Sequence, residues 1–121
     1  MVIMKKIGEG LSCSIKKEVT GELVYIQEIN DVINLFDKAA GKICIVDDAG
    51  TTTLSPILSE LTGTISTTGS AGSHLAIVSR EFEIPCIMGL RFEIEDISSL
   101  NGKKAKITTQ EENKGILYLL E

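Results

Sequence analysis

Residues 67–89 constrain the fold of this chain more than any other stretch. They begin with a turn rich in glycine and serine, and the apolar residues that follow predict a helix over 76–82, ahead of Pro85. A strand up to Gly89 is predicted next, because proline lacks the N–H needed inside a ladder and can only begin the strand. His74 is the only histidine in the chain, and it falls at the helix N-terminus.

This arrangement favours the binding of an anion. The first N–H groups of a helix have no partner within the helix, and the helix dipole places partial positive charge there. Glycine lets the backbone approach a phosphate closely, and serine adds a hydroxyl donor. The predicted phosphate-binding residues are Gly69, Ser70, Gly72 and Ser73, with Ser73 as the helix N-cap. Because a neutral imidazole retains a nitrogen lone pair, His74 is the candidate nucleophile for a phosphoryl group.

The same stretch resembles the mobile phosphohistidine domain of enzymes that use phosphoenolpyruvate, such as pyruvate phosphate dikinase and phosphoenolpyruvate synthase. The pattern of that domain is approximately G-G-x-T-S-H-A-A-I-V-A-R-E-x-G-I-P-x-V-x-G. The positions that match it are Gly69, Ser73, His74, Ala76, Ile77, Val78, Arg80, Glu81, Ile84, Pro85 and Gly89. The resemblance implies that His74 is transiently phosphorylated. It also implies that the domain swivels between a nucleotide site and a phosphoenolpyruvate or other acceptor site on neighbouring domains.

The resemblance further implies which parts of the reaction lie elsewhere. The chain has no Walker A motif, and its 121 residues are too few for a complete synthase. It is therefore expected to be the phosphohistidine component of a larger phosphotransferase, not a complete enzyme alone. No cofactor or metal is expected on this domain. Mg²⁺ with ATP or phosphoenolpyruvate is expected on the partners, which are nucleotide-binding and phosphoenolpyruvate- or acceptor-binding domains or subunits.

A second interpretation comes from two departures from the family pattern. Gly72 stands where the family commonly has a threonine that can contact the phosphoryl group, and Leu75 replaces a small alanine beside the histidine. Under this interpretation the chain is a catalytically degenerate module that binds an anion or a partner protein on the same scaffold.

The rest of the predicted helix is assigned structural roles. Ile77 and Val78 are apolar and are predicted to lie in the core. Arg80 follows His74 by about two helical turns, so it is predicted to form a structural salt bridge and not to clamp phosphate.

Charge and cysteine content argue against several other classes of protein. The net charge is −5, with 12 basic and 17 acidic residues and no basic cluster, so neither nucleic acid nor an anionic membrane is the expected partner. Cys13, Cys44 and Cys86 lack zinc or redox spacing and are predicted to be reduced packing residues. Asp47 and Asp48 are predicted to start a turn and not to bind a metal. No signal peptide or membrane span is recognised, so a cytoplasmic location is expected.

The remaining pattern predicts strands and helices that interleave within one domain, residues 1–121. Further strands are predicted at 23–26, 43–46, 64–66, 104–107 and 115–120, and helices at 30–41, 55–63 and, weakly, 91–100. In the first of these helices one face is predicted to carry Ile33, Phe36 and Ala40, with Val32, Leu35 and Ala39 beside it. Together with the resemblance, the pattern predicts an α/β fold, a layered swivelling β/β/α domain of the phosphohistidine type.

Overall fold

A computed structural model describes residues 3–47, 54, 57–69, 73–111 and 113–120 of the chain. Over these residues the chain forms seven strands, two α-helices and two 3₁₀ turns. The strands are β1 (Met4–Ser12), β2 (Glu18–Tyr25), β3 (Lys42–Val46), β4 (Gly63–Ser66), β5 (Cys86–Phe92), β6 (Lys104–Glu111) and β7 (Lys114–Leu120). The α-helices are α1 (Ile29–Ile33) and α2 (His74–Glu81), and the 3₁₀ turns are Leu58–Glu60 and Ile97–Leu100.

The seven strands close into a barrel in the order β1-β5-β4-β3-β2-β6-β7, and β7 pairs again with β1. Neighbours among β2, β3, β4 and β5 are parallel, and the other pairs are antiparallel. The predicted α/β fold, a layered swivelling β/β/α domain, is therefore wrong: the described residues form a mostly β structure with two short α-helices. Closure depends on pairs between distant parts of the chain, such as Gly8 with Phe92 and Met4 with Leu120. Hydrophobic periodicity does not report such pairs.

Two apolar clusters pack on the two faces of the parallel strands. Successive side chains of a strand point to opposite faces. In β3, Ile43 and Ile45 belong to the cluster inside the barrel, whereas Cys44 and Val46 belong to the cluster between the barrel and the helices. Because both faces of β3 are buried, its sequence is a continuous apolar run, and the predicted strand at 43–46 is confirmed.

The other predicted strands are also found, but β1 was not predicted. The strands predicted at 64–66, 104–107 and 115–120 and the one ending at Gly89 correspond to β4, β6, β7 and β5. Strand β2 begins at Glu18, so the turn expected at Thr20 and Gly21 lies inside a strand. Strand β1 carries Lys5, Lys6 and Glu9 among few apolar residues, so its apolar pattern does not indicate a strand. Its pairing with β5 and β7 holds it in the sheet.

Helix α1 is shorter than predicted. It ends at Ile33, and Asp37 adopts a positive φ of 69°, which a continuing helix does not allow. The predicted face of Ile33, Phe36 and Ala40 is exposed, and the residues expected beside it are the buried ones, Val32, Leu35 and Ala39. No helix within the described residues is long and apolar enough to span a membrane.

The helices predicted at 55–63 and 91–100 are reduced to 3₁₀ turns. Ser55 and Pro56, the predicted start of the first, lie outside the described residues. Gly63 does not close a helix but opens β4, where a β-carbon would lie 2.9 Å from Ile107 Cδ1. The glycine therefore leaves room for a core side chain inside the barrel. Arg91 belongs to β5, so the second predicted helix begins too early.

All three cysteines are packing residues, as predicted. Cys13, Cys44 and Cys86 are free and buried, and they lie in the cluster beneath the helices. Burial raises the pKa of the Cys44 thiol to about 12 and that of Cys86 to about 11. Both thiols therefore stay protonated at neutral pH.

Candidate functional site

His74 is the first residue of α2, and its side chain is exposed. Ser73 occupies the N-cap position with extended backbone angles, φ −68° and ψ 151°, and its carbonyl accepts from the Ile77 N–H at 3.0 Å. The predicted N-cap and the place of His74 at the helix N-terminus are therefore confirmed, and the helix begins two residues before the predicted residue 76. The imidazole meets solvent at the helix end where the backbone N–H groups favour an anion.

Contacts below the helix hold α2 against the barrel. Leu75, Ala76 and Ser79 are buried, and the Ser79 hydroxyl lies 3.0 Å from the Thr64 hydroxyl of β4. Leu75 is only 4% exposed and belongs to the apolar cluster beneath the helix. The leucine side chain, which is larger than the alanine of the family pattern, is therefore accommodated in the core.

Of the two α2 residues predicted to lie in the core, Val78 does and Ile77 does not. Val78 packs against the apolar cluster, but Ile77 is 45% exposed and does not belong to the core. Arg80 Nη1 donates to the Cys13 carbonyl at 2.8 Å, so the arginine ties α2 to the end of β1. The contact is structural, as predicted, but the partner is a backbone carbonyl and not the acidic side chain of the predicted salt bridge.

Gly69, the third residue after β4, lies close to Gly89 of β5. Gly69 has a φ of 94° and Gly89 a φ of 61°, both in the region that favours glycine. A β-carbon at Gly89 would lie 3.6 Å from the Gly69 carbonyl oxygen, so β5 passes beside the backbone at Gly69. Of the other predicted phosphate-binding residues, Ser70 and Gly72 lie outside the described residues.

Asp47 gathers hydrogen bonds from both neighbouring strand ends. It follows β3, and its carboxylate accepts from the Tyr25 hydroxyl at the end of β2 and from the Thr67 hydroxyl after β4, the latter at 2.9 Å. Its backbone carbonyl accepts from the Thr68 hydroxyl at 2.7 Å. We call these four residues the Asp47 cluster. The cluster fixes the first two residues of the segment that leads to His74.

Comparison with known proteins identifies the family. The family described as PEP-utilising enzyme, mobile domain, matches residues 38–110, which is more than half of the 121 residues and includes His74. The chain belongs to this family. No curated protein sequence matched the mobile domain.

Solved structures give two further similarities. Muramoyltetrapeptide carboxypeptidase from Oxalobacter formigenes aligns with a TM-score of 0.58 and 12% identity, covering 98% of this chain and 50% of that one. The N-terminal domain of Enzyme 1 - Nitrogen aligns with a TM-score of 0.45 and 21% identity, covering 71% of this chain and 37% of that one. The first likeness concerns the fold alone, and the mobile domain spans half the length of that carboxypeptidase.

The Asp47 cluster was not predicted from the sequence. Asp47 was expected only to start a turn, and it does lie at a bend after β3, while Asp48 lies outside the described residues. The available signal was topological: parallel neighbours place their carboxyl ends at one edge, so Asp47 and Thr67 had to be adjacent once β3 and β4 paired. Within the described ranges, no three His, Cys, Asp or Glu side chains are placed to hold a metal ion.

The hydrogen bond to Asp47 gives Tyr25 a measurable signature. This bond, with smaller contributions from burial and from the charge of Asp47, raises the pKa of Tyr25 to about 12. The contact therefore makes its full contribution to stability at pH values below about 10, the ordinary pKa of tyrosine. Its contribution is lost as the pH rises through about 12.

We expect the tyrosinate absorbance of the mobile domain to show a late step at about pH 12. Tyr25→Phe should remove this step, because Tyr118 is the other tyrosine of the chain. Asp47→Asn should move it to lower pH, because the neutral amide no longer favours the protonated phenol. Identical titration curves for Asp47→Asn and the wild-type protein would contradict this assignment.

Proposed function

We propose that the mobile domain is a phosphoryl carrier that is transiently phosphorylated on His74. It would shuttle the group between a nucleotide-binding partner and a partner that binds pyruvate, phosphoenolpyruvate or another acceptor. The observation that supports this most is the exposed imidazole at the first position of α2, within the residues that match the family.

The chemistry requires one accessible ring nitrogen with a lone pair. That nitrogen attacks the phosphorus of the donor, the N–P bond forms, and the bond between phosphorus and the donor oxygen breaks, with its electron pair leaving on that oxygen. The other ring nitrogen keeps its proton. In the second step an acceptor oxygen attacks the phosphorus and forms an O–P bond, and the N–P bond breaks with its electron pair returning to the ring nitrogen. Exposure of His74 allows both partners to reach the ring in turn.

The backbone at the start of α2 suits the charge that the ring would carry. A phosphorylated side chain bears about −1.5 to −2 charge at neutral pH. Unpaired N–H groups and the helix dipole stabilise such an anion near the first turn. Positioning and charge neutralisation dominate phosphoryl transfer, so Mg²⁺ and the nucleotide or phosphoenolpyruvate would be supplied by the partners.

The competing interpretation, a degenerate module that binds an anion or a partner protein, has lost part of its support. It rested on Leu75 and Gly72. Leu75 packs in the apolar cluster below α2, so the leucine that replaces the alanine of the family pattern is part of the core and does not by itself favour a degenerate site. Gly72 lies outside the described residues. The experiment below tests the part of the interpretation that rests on Gly72.

The test is a search for acid-labile phosphate on the wild-type protein. The protein is incubated with lysate of its native source and either ATP or phosphoenolpyruvate, and its intact mass is measured. We expect one added phosphoryl group that is lost in acid, survives alkali, and is assigned to His74 by fragmentation. No added mass with either donor, while a characterised member of the family in the same lysate is labelled, would favour the degenerate module.

A further inference from the structure

We propose that Arg80 is a positioning residue for His74, an inference that rests on the proposed carrier function. Both residues belong to α2, and the structure describes every residue of this helix. Arg80 lies one residue before the end of the helix, and its side chain limits how far the helix can rotate about its own axis. This rotation decides where the imidazole lies when a partner presents its phosphoryl donor.

Arg80 is anchored on the backbone of the barrel. Its Nη1 donates to the Cys13 carbonyl at 2.8 Å. Cys13 directly follows β1 and is 6% exposed, and its N–H donates to the Cys86 carbonyl of β5 at 3.0 Å. A hydrogen bond from a charged donor is stronger than a neutral one, and it weakens steeply away from its preferred angle. The helix is therefore connected to a fixed point of the sheet by a directional contact.

The buried contacts of α2 lie along one line of the helix surface. Consecutive residues of an α-helix are rotated by about 100° around the axis. On this spacing Ser79 lies between Leu75 and Ala76, and these three are the buried residues of α2. The Ser79 hydroxyl lies 3.0 Å from the Thr64 hydroxyl of β4. A contact at the centre of the buried face holds the helix against the barrel, but it has little leverage against rotation about the helix axis.

Arg80 lies on the flank of that buried face, where a contact has more leverage. It is rotated by about 100° from Ser79 in one direction, and Val78 by about 100° in the other. Val78 packs against the apolar cluster beneath the helix, and apolar packing has no preferred direction. The hydrogen bond of Arg80 does have one. Arg80 therefore opposes rotation of α2 on the side of the helix that faces the end of β1.

A small rotation of α2 displaces the imidazole by a distance that matters for phosphoryl transfer. His74 is exposed and points away from the barrel, since it is rotated by about 140° from Ser79. A helix with its side chains has a radius of about 5–6 Å, so a rotation of about 10° moves the ring by about 1 Å. Misplacement of a reacting group by about 1 Å can cost about a hundredfold in rate. The ring then stays accessible but is less well placed.

The experiment compares two phosphoryl donors on Arg80→Met. Methionine has a helix propensity close to that of arginine, but it has no charged donor. Phosphoramidate, a small donor, needs only an accessible imidazole, whereas donation in lysate with ATP or phosphoenolpyruvate also needs a correctly placed one. For Arg80→Met we expect lysate-dependent phosphorylation to slow by about fivefold or more. Phosphoramidate labelling should change by less than about twofold, since a small donor can approach an exposed ring in any orientation.

Three control variants separate rotation of the helix from loss of stability and loss of charge. Arg80→Lys keeps a charged donor, so its rate should lie between those of Arg80→Met and the wild-type protein. Thr64→Val removes the hydroxyl that meets Ser79 but keeps the shape of the side chain, so it should lower stability without rotating the helix. Lys6→Met removes an exposed cation that pairs with Glu9 at 2.8 Å on β1. Equal slowing in Arg80→Met and in either Thr64→Val or Lys6→Met, or an equal loss with both donors, would overturn the positioning role.

A readout without phosphorylation separates this inference from the proposed function. His74 is the only histidine, so its ring resonances in NMR spectra are unambiguous. Spectra are compared at alkaline pH, where the ring is neutral, so that a changed titration does not move them. We expect Arg80→Met to shift or broaden the ring resonances, Arg80→Lys to return them towards the wild-type values, and Thr64→Val to leave them unchanged.

Two outcomes of these measurements are decisive in different ways. Unchanged ring resonances in Arg80→Met would refute the inference even if transfer slows, because Arg80 would then act on the donor directly and not through the placement of His74. Failure of the wild-type protein to take phosphate from either lysate donor would instead refute the carrier function, and the positioning role with it.

Discussion

Replacing His74 by alanine is expected to abolish phosphorylation of the mobile domain by ATP or phosphoenolpyruvate in lysate. The variant removes the ring nitrogen that would form the N–P bond, and the chain has no second histidine to replace it. Loss of a nucleophile typically costs about a thousandfold or more in rate. The rate is measured as the growth of the acid-labile mass increment over time, for the variant and the wild-type protein side by side.

The fold should survive this substitution. His74 is exposed, the buried residues of α2 are Leu75, Ala76 and Ser79, and alanine is the best helix former. We therefore expect the free energy of unfolding to change by no more than about 0.5 kcal/mol. Ile77→Ala is the control, because Ile77 is 45% exposed on the same helix and leaves the imidazole in place. Acid-labile label on His74→Ala at the wild-type rate would place the phosphoryl acceptor elsewhere and contradict the proposal.

The local part of this site was predictable because its signals lie close together in the sequence. The start of α2 follows from the glycine and serine turn with Ser73 as N-cap, and its end follows from the proline at position 85. The exposure of Ile77 was not predictable, because periodicity places a residue on a helix face but does not say how wide the buried face is. The buried face of α2 holds Leu75, Ala76 and Ser79, and Ile77 lies outside it.

Barrel closure and the Asp47 cluster depend on distant pairs. Strand β1 has a weak apolar pattern, and only its pairing with β5 and β7 makes it part of the sheet. Asp47 is separated by about twenty residues from both Tyr25 and Thr67, which no local propensity joins. The layered β/β/α prediction failed for the same reason, since it correctly found most strands but had no information on which of them pair.

Replacing Ile87 by alanine is expected to lower the free energy of unfolding by about 2–5 kcal/mol. Ile87 is fully buried in the cluster inside the barrel. It packs over a gap left by two paired glycines: a β-carbon at Gly10 would lie 2.8 Å from Ile87 Cγ2, and one at Gly115 would lie 2.5 Å from Ile87 Cγ1. Alanine would leave that gap unfilled. Urea unfolding with a shared m value measures the difference.

Gly115 provides the matched test of this packing. Gly115→Ala should itself cost about 1–3 kcal/mol, because its methyl group would overlap Ile87. In the double variant the methyl group at position 115 enters the space that the Ile87 side chain has vacated, so the loss of stability should be smaller than the sum of the two single losses.

Ile77→Ala is the control and should change stability by no more than about 0.5 kcal/mol, since that side chain is partly exposed. If Ile87→Ala were as mild as Ile77→Ala, or if the double variant lost the full sum, residues 87 and 115 would not share the barrel interior. The closed pairing of β1 with β5 and β7 would then be wrong, because that pairing brings the two residues together.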